Sequence, residues 1–404
     1  MENMRIAVVG GSIAGCAAAL AVHRAGAGEV VVFERTVEQL EDRGVGLGIS
    51  SGLYKELELA EYLSPALPSF SLRERKWIVA EGDLSGGRIV GTQGFEFRTY
   101  NWGSLWRFLR DALPKSVNYR AGCRVVEVAD GSRCATVTLT DGTVESFDAI
   151  IGADGYRSIV RAALFPGIYP RYAGYLLWRG TLPAVELPRR DEYWKENDAV
   201  AVAFPQGHMM MYAIPGKSGG RILNWAVYSV PTDAPDLQLE DPTSLPPGLM
   251  PESLERQLSI ISEALPSYWR QIVRRTPREQ IFVQPVYDLQ LPACAAGRVA
   301  LAGDAAAVVR PHTGGGAVKA LQDAVVLEAA MRKETGWPDV LKTYSAQRMS
   351  ANSALVKLGR SLGNATVLAS PDWSRMTPAV FGQWWETATH LSQANLGGNR
   401  LKDL

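Results

Sequence analysis

The sequence has few of the residues that build disulfide frameworks or metal centres. Its 404 residues include four cysteines and four histidines. Cys16, Cys123, Cys134 and Cys294 form no CxxC pair, and none stands with histidines at the spacing of metal ligands. We therefore expect free thiols, a reducing and cytoplasmic location, and no bound metal.

The sequence also lacks an excess of charge of either sign and any long apolar run. Lys and Arg together number 42, and so do Asp and Glu. This balance argues against a nucleic-acid partner or an anionic membrane surface. The N-terminal apolar stretch is interrupted by Gly10, Gly11 and Gly15, so it suits neither a membrane span nor a signal peptide. We expect no nucleic-acid or membrane partner, and a monomer or homodimer.

The first recognisable pattern along the sequence is that of a βαβ unit. Residues 4–9 (MRIAVV) and 29–33 (EVVVF) are typical of buried strands, and residues 16–25 favour a helix. Between them, residues 10–15 (GGSIAG) are a G-x-G-x-x-G turn whose middle glycine is replaced by serine. Such a turn places a pyrophosphate at a helix N-terminus, and an acid after the second strand binds ribose hydroxyls. Glu34 occupies that acidic position.

A second glycine-rich turn lies near residue 300. Residues 299–302 (VALA) predict a strand, Gly303-Asp304 a turn, and residues 314–316 (GGG) the start of a helix. A carboxylate at the carboxyl end of a strand can accept hydrogen bonds from the hydroxyls of a ligand lying over the sheet. A helix N-terminus can hold negative charge. An ordinary strand–turn–helix unit would show the same pattern.

A third motif, residues 152–161 (GADGYRSIVR), follows a strand predicted at residues 147–151. Together with the N-terminal turn and the late G-D-A-A and P-x-x-G-G-G segments, it resembles the FAD-dependent aromatic hydroxylases of the para-hydroxybenzoate hydroxylase type. Residues 178–180 (WRG), Gly207-His208 and residues 310–312 (RPH) are similar to the 2,6-dihydroxypyridine 3-hydroxylase branch, which acts on hydroxylated N-heteroaromatic rings.

The resemblance implies a complete reaction. NADPH or NADH would reduce FAD, O₂ would form a flavin C4a-hydroperoxide, and an electron-rich aromatic ring would be hydroxylated. Asp154 and Asp304 would hold FAD, the glycines at 314–316 would stabilise the anionic reduced flavin, and Pro311 would fix the adjacent loop. The glycine-rich segment 43–50 would pass the flavin ring. The cofactor-binding residues predicted in this way are Gly10, Gly11, Ser12, Ile13, Ala14, Gly15, Glu34, Arg35, Arg43, Gly48, Ile49, Val125, Asp154, Gly303, Asp304, Pro311, Gly314, Gly315, Gly316 and Ala317.

A base near the substrate hydroxyl would raise the electron density of the ring. The candidates are His312, His208 and Tyr212, with Pro311 orienting the loop. Both histidines have a structural alternative: His312 could bind loop backbone, and His208 could lie exposed at a rim. Among the predicted FAD-binding residues, Asp154 could simply cap a turn. His23 and His390 are assigned to structure.

The sequence departs from the family at two places. Residues 100–104 (YNWGS) lack the arginine that many members carry before the following helix, and Arg43 or Arg35 could compensate. Ala307 replaces the usual histidine after G-D-A-A.

The fold class expected is α/β, with a Rossmann-like FAD-binding domain interleaved with a β-sheet substrate domain. The FAD-binding domain would comprise residues 1–72, 98–171 and 285–360, the substrate domain 73–97 and 172–284, and a C-terminal helical extension 361–404. Tryptophans in that extension could form an oligomer contact, although packing on the same chain is favoured. An FAD-dependent oxidase or reductase without oxygen insertion, or a non-catalytic protein on the same scaffold, are the alternative functions.

Overall fold

Two large β-sheets and a small one organise the chain. A computed structural model describes residues 3–37, 46–187, 190–217, 219–232 and 250–389. The strands of these segments are β1 (Arg5–Val9), β2 (Glu29–Glu34), β3 (Gly46–Ser50), β4 (Phe70–Val79), β5 (Arg88–Asn101), β6 (Val117–Ala121), β7 (Val125–Asp130), β8 (Ala135–Leu139), β9 (Val144–Phe147), β10 (Ala149–Gly152), β11 (Arg171–Pro183), β12 (Asp198–Phe204), β13 (Gly207–Pro215), β14 (Arg221–Ser229), β15 (Ile281–Asp288), β16 (Ala295–Ala296) and β17 (Val299–Leu301).

Helices connect and cover these strands, which gives the predicted α/β class. They are α1 (Ile13–Arg24), α2 (Ser51–Leu59), α3 (Trp102–Asp111), α4 (Ile159–Leu164), α5 (Arg190–Tyr193), α6 (Glu252–Ser262), α7 (Ser267–Arg275), α8 (Gly316–Lys333), α9 (Trp337–Gly363) and α10 (Pro378–Thr389). A π-helical turn, Asn364–Leu368, follows α9 directly. No helix in the described part of the chain is both long and apolar enough to cross a membrane.

The six-stranded sheet has the order β16-β17-β10-β1-β2-β6. Its strands run parallel except β16, which is antiparallel to β17. The predicted βαβ unit is confirmed, and α1 begins at Ile13, three residues earlier than predicted, because the chain turns within residues 10–12. The ends of β1, β10 and β17 lie side by side, so the motifs that follow these strands meet at one edge of the sheet.

The eight-stranded sheet has the order β15-β11-β14-β13-β12-β4-β5-β3. β4 and β5, which include most of residues 73–97, belong to this sheet together with β11 to β15. Successive side chains of β13 alternate between its faces. Met209 and Met211 enter a hydrophobic core, whereas His208, Met210 and Tyr212 face a cavity.

The boundaries predicted between domains fall within continuous strands. Residue 72 lies in β4, residue 97 in β5 and residue 284 in β15. The interleaving of the two sheets along the chain matches the expectation, while the division into domains at those positions stays a prediction.

The C-terminal tryptophans pack on the same chain, as favoured from sequence. Trp373 stacks on Trp77 of β4 with 5.7 Å between ring centroids. Trp384 and Trp385 of α10 lie 5.6 Å and 5.9 Å from the same ring. The extension thereby closes one side of the eight-stranded sheet.

Candidate functional site

A cavity of about 440 Å³ is lined by strands of the eight-stranded sheet and by the loops that follow β1, β10 and β17 of the six-stranded sheet. One part is lined by glycine turns and helix starts, the other by aromatic and basic side chains of the eight-stranded sheet.

The two glycine turns that lie far apart in sequence meet at this cavity. Gly303 has a left-handed backbone (φ 59°), and a Cβ placed on it would come within 2.7 Å of the Ala14 Cβ. Ser12, Ile13, Gly303 and Asp304 all line the cavity. A glycine is therefore needed where the late turn approaches the start of α1.

A buried ionic cluster fixes the late turn from below. The Asp323 carboxylate accepts hydrogen bonds from the Gly303 N–H (2.8 Å), Lys319 Nζ (2.9 Å) and Arg348 Nε (2.6 Å). Lys319 also donates to the Gly303 carbonyl (2.7 Å). The three charged side chains are fully buried. This cluster was not predicted from the sequence, where its one local signal is the i,i+4 spacing of Lys319 and Asp323.

Asp304 differs from Asp154 in what its carboxylate can bind. Asp304 lines the cavity, and its carboxylate has no hydrogen-bond partner among the described residues. Burial raises its pKa, while Lys319 and Arg161 oppose that shift. Asp154 instead caps α4: it accepts from the Ser158 hydroxyl and from the Ile159 N–H (2.8 Å), and it does not line the cavity. The alternative role of Asp154 as a cap is thus present, and FAD binding by its side chain stays a prediction.

Arg161, the last residue of the third motif, ties that motif to the late turn. Its buried guanidinium donates to the carbonyls of Tyr156 (2.6 Å), Asp304 (3.4 Å) and Ala305 (3.4 Å). The motif after β10 therefore supports the turn after β17 through backbone contacts.

The far end of the βαβ unit is arranged around Gly11 and Glu34. The Glu34 carboxylate accepts from the N–H groups of Gly11 and Thr36, both at 2.8 Å. The Gly11 carbonyl accepts from Trp106 Nε1 (2.9 Å) and the Tyr119 hydroxyl (3.1 Å). Trp106 and Tyr119 were missed from sequence, since nothing local links them to this turn.

The position at which the family carries an arginine has another use here. Asn101 forms the N-cap of α3, accepting hydrogen bonds from the Gly103 N–H (2.9 Å) and the Ser104 N–H (3.3 Å). Of the suggested replacements, Arg35 is exposed and Arg43 lies outside the described residues.

The remaining predicted cofactor residues divide by position. Those that line the cavity are Gly48, Pro311, Gly314, Gly315, Gly316 and Ala317. Ile49 is fully buried next to Gly48. Gly10 precedes α1, and Gly15 lies in the first turn of that helix. Val125 is buried at the start of β7 and does not line the cavity.

The opposite part of the cavity holds both predicted histidines. His312 Nε2 lies 2.8 Å from the Tyr175 hydroxyl. The Tyr228 ring contacts both imidazoles, with 4.2 Å between its centroid and that of His312 and 4.7 Å to that of His208. His208 is only 5% exposed, so its alternative placement at a rim is wrong; α10 and the Trp77 cluster cover this face.

Burial keeps both imidazoles neutral. It lowers the pKa of His208 to about 3, with the positive charge of Arg75 adding to the effect. It lowers the pKa of His312 well below the usual value, aided by His208 and Arg310. Tyr212 is less suited to act as a base, because its hydroxyl donates to the Gly46 carbonyl (3.1 Å) and burial raises its pKa.

A second ionic cluster, in which Asp288 and Arg310 are buried and Arg360 is exposed, holds the loop that carries His312. Asp288 accepts from Arg310 Nε (2.7 Å) and from Arg360 Nη2 (2.6 Å). Arg310 directly precedes Pro311, so the cluster sets where the loop enters the cavity. Asp288 and Arg360 were not recognised from sequence, because their partners come from distant segments.

These features fit FAD. The cavity runs from the start of α1, past the free carboxylate of Asp304, to the start of α8, whose first N–H groups have no intrahelical acceptor. No group of three residues able to hold a metal ion occurs in the part of the chain that the structure describes.

Comparison with known proteins agrees with this geometry. A model described as "FAD binding domain-like" matches residues 172–288, and one described as "FAD binding domain" matches residues 266–358. A 2,6-dihydroxypyridine 3-monooxygenase from Paenarthrobacter nicotinovorans is 32% identical over 87% of this chain and 88% of its own. A 3-amino-4-hydroxybenzoate 2-monooxygenase from Streptomyces cremeus is 29% identical over 89% of this chain and 87% of its own.

The solved structures include a close match in architecture. The 2,6-dihydroxypyridine-3-hydroxylase from Arthrobacter nicotinovorans superposes with a TM-score of 0.81 at 27% identity. The match covers 93% of this chain and 96% of that protein. Both sheets and the cavity between them therefore lie within the shared architecture.

Proposed function

Because this chain belongs to the FAD-dependent aromatic hydroxylases, we propose that it hydroxylates an electron-rich N-heteroaromatic ring, such as a hydroxylated pyridine. The enzyme class and the FAD cofactor follow from the family. The ring type is supported by the pyridine-hydroxylating relative and by the motifs shared with that branch. One oxygen atom of O₂ would enter the ring and the other would leave as water, with NADPH or NADH supplying two electrons.

The observation that carries the cofactor assignment is the meeting of the turns at Gly11 and Gly303. We propose that the N-terminal turn and Glu34 hold the adenosine half of FAD, as Asp304 and the start of α8 hold the flavin half. Bound FAD supplies the activated oxygen. The chain's own part is to bind, orient and keep water away from the reacting groups.

His312 is proposed as the hydrogen-bond acceptor for the substrate hydroxyl. Its imidazole is neutral because burial depresses its pKa. If Nε2 carries the proton and donates it to the Tyr175 oxygen at 2.8 Å, then Nδ1 is free to accept. A hydrogen bond accepted from the substrate hydroxyl raises the electron density of the ring where oxygen is added. Tyr175 then acts as a positioning residue that selects the tautomer.

The test is a screen of hydroxylated pyridines, quinolines and benzoates with the yellow holoprotein. A substrate should stimulate NAD(P)H oxidation and O₂ uptake and leave as a hydroxylated product. Stimulated oxidation that yields only hydrogen peroxide with every ring would favour the oxidase or reductase alternative. Preference for a benzoate over every heteroaromatic ring would contradict the proposed ring type.

The cytoplasmic location and the choice between monomer and homodimer remain predictions. Size-exclusion chromatography with light scattering would settle the second.

A further inference from the structure

We propose that Arg75 binds a carboxylate on the aromatic substrate, in the part of the cavity lined by the eight-stranded sheet. The inference rests on the proposed function, because it concerns which substituent the ring carries in addition to its hydroxyl. It defines the substrate class as hydroxylated aromatic carboxylates.

The first observation is a buried cation without a counter-ion. Arg75, on β4, is 6% exposed and lines the cavity. Its Nε and Nη2 atoms both donate to the Gln93 side-chain oxygen, at 2.9 Å and 2.7 Å. Among the described residues it has no other hydrogen-bond partner and no ion pair. Burial lowers its pKa to about 9, which still leaves it charged at neutral pH.

The second observation is the shape of the surrounding site. The Arg75 guanidinium lies 4.8 Å from the Phe95 ring, 5.4 Å from the Trp77 ring and 4.8 Å from the Trp385 ring. Aromatic faces stabilise a cation but do not neutralise it. The Gln93 oxygen accepts hydrogen bonds from Nε and Nη2, which leaves Nη1 available to another acceptor. A carboxylate matches the planar fork of a guanidinium and supplies the missing charge.

The third observation is the charge pattern of the cavity wall. Asp304 is the only carboxylate among the lining residues of the described chain, and it lies on the loop after β17 rather than on the eight-stranded sheet. From Arg75 the wall continues through Trp77 to His208, at 5.8 Å, and to His312, at 5.3 Å from His208. A ring lying along this wall would place an anionic substituent at Arg75 and a hydroxyl toward the neutral imidazoles.

Arg179 provides a matched comparison within the same cavity. It also lines the cavity, and its Nε is buried without a partner among the described residues. It stands on β11, separated from β4 by β14, β13 and β12, and its side chain is less buried than that of Arg75. We assign the carboxylate to Arg75 because its burial makes an unpaired charge more costly.

The experiment measures binding to the oxidised holoprotein by titration of the flavin absorbance spectrum. The probes are two pairs of similar shape in which a neutral carboxamide replaces the carboxylate: 6-hydroxynicotinate with 6-hydroxynicotinamide, and 4-hydroxybenzoate with 4-hydroxybenzamide. The wild type should bind the better carboxylate about tenfold or more tightly than its amide. Arg75→Gln should reduce that preference to less than about twofold, and Arg179→Gln should retain it.

Gln93→Glu keeps the proposal testable if Arg75→Gln does not fold. A glutamate there would pair with Arg75 internally, so it should also abolish the preference for the carboxylate while the chain retains FAD. An amide that binds the wild type as tightly as its carboxylate would overturn the proposal. So would loss of the preference in Arg179→Gln with the preference intact in Arg75→Gln.

The binding assay needs no turnover, so the two proposals can fail separately. A carboxylate preference without any oxygenated product would contradict the proposed function alone. If a ring without a carboxylate were hydroxylated, and if wild type and Arg75→Gln bound that ring equally, the Arg75 proposal alone would be contradicted.

Discussion

Replacing Asp323 by asparagine should destabilise the whole protein and loosen the late glycine turn. Its carboxylate is the one negative charge in a fully buried cluster with Lys319 and Arg348, at 2.9 Å and 2.6 Å. Asparagine keeps the shape but leaves two buried cations without a counter-charge. Its amide N–H₂ would also face donors. The Gly303 N–H would lose its charged acceptor at 2.8 Å.

The magnitude follows from the burial of all three side chains. Removing one partner of a buried ion pair costs about 3–5 kcal/mol, because the other charge is left unpaired in a medium of low polarity. Native proteins are stable by about 5–15 kcal/mol, so the variant should lose a large fraction of its stability. With the slopes common in urea, the unfolding midpoint should fall by about 1 M or more.

Urea unfolding followed by tryptophan fluorescence measures this change. Glu61→Gln is the control, because the Glu61 side chain is 80% exposed and its ion pair with Arg24 at 3.4 Å should contribute less than about 1 kcal/mol. Lys319→Met in the Asp323→Asn background should recover part of the loss by removing one unpaired cation. An Asp323→Asn midpoint equal to that of Glu61→Gln would refute the reasoning.

Four further outcomes are expected. Asp304→Asn should weaken FAD binding about tenfold or more, measured by flavin reconstitution of the apoprotein; wild-type affinity would remove Asp304 from the cofactor site. His312→Ala should lower coupled hydroxylation about 10²- to 10⁴-fold while flavin binding is unchanged, and retained coupling would remove it from the mechanism. Burial depresses the pKa of His208. The contribution of the neutral imidazole to the free energy of unfolding is therefore fully present above the unfolded pKa near 6.5, and it falls by about 1.4 kcal/mol per pH unit below that pKa. The difference between the urea midpoints at pH 7 and pH 5.5 should therefore be smaller in His208→Gln than in wild type. An equal difference in the two proteins would contradict this. Gly11→Ala should reduce FAD retention, since a Cβ there would lie 2.2 Å from the Tyr119 hydroxyl; full retention would show that the turn can shift.

The βαβ unit and the two glycine turns were predictable because their signals are local. Strand, turn, helix and acid follow one another within the first 35 residues, and each obeys its own periodicity or backbone requirement. The late turn was placed in the same site only through the family resemblance. Its contact with Ala14 depends on how distant strands pair, which no local pattern records.

The supporting clusters could not be predicted for the same reason. Asp323 pairs with Arg348 of the next helix, and Asp288 pairs with Arg360 across 72 positions. Arg75 lies in the charged run RERKW, which is typical of a solvated strand. Its burial results from α10 and from Phe95, both supplied by other parts of the chain.

The most direct test of the central claim is turnover under ¹⁸O₂. In the proposed account, one cavity bounded by the turn at residues 10–15 and by Gly303 holds FAD beside an aromatic ring and directs oxygen into it. With a substrate from the screen, the product should carry one ¹⁸O atom, with about one NAD(P)H consumed for each product in a coupled reaction. Product that contains only oxygen from water, or NAD(P)H consumption matched entirely by labelled hydrogen peroxide, would contradict it.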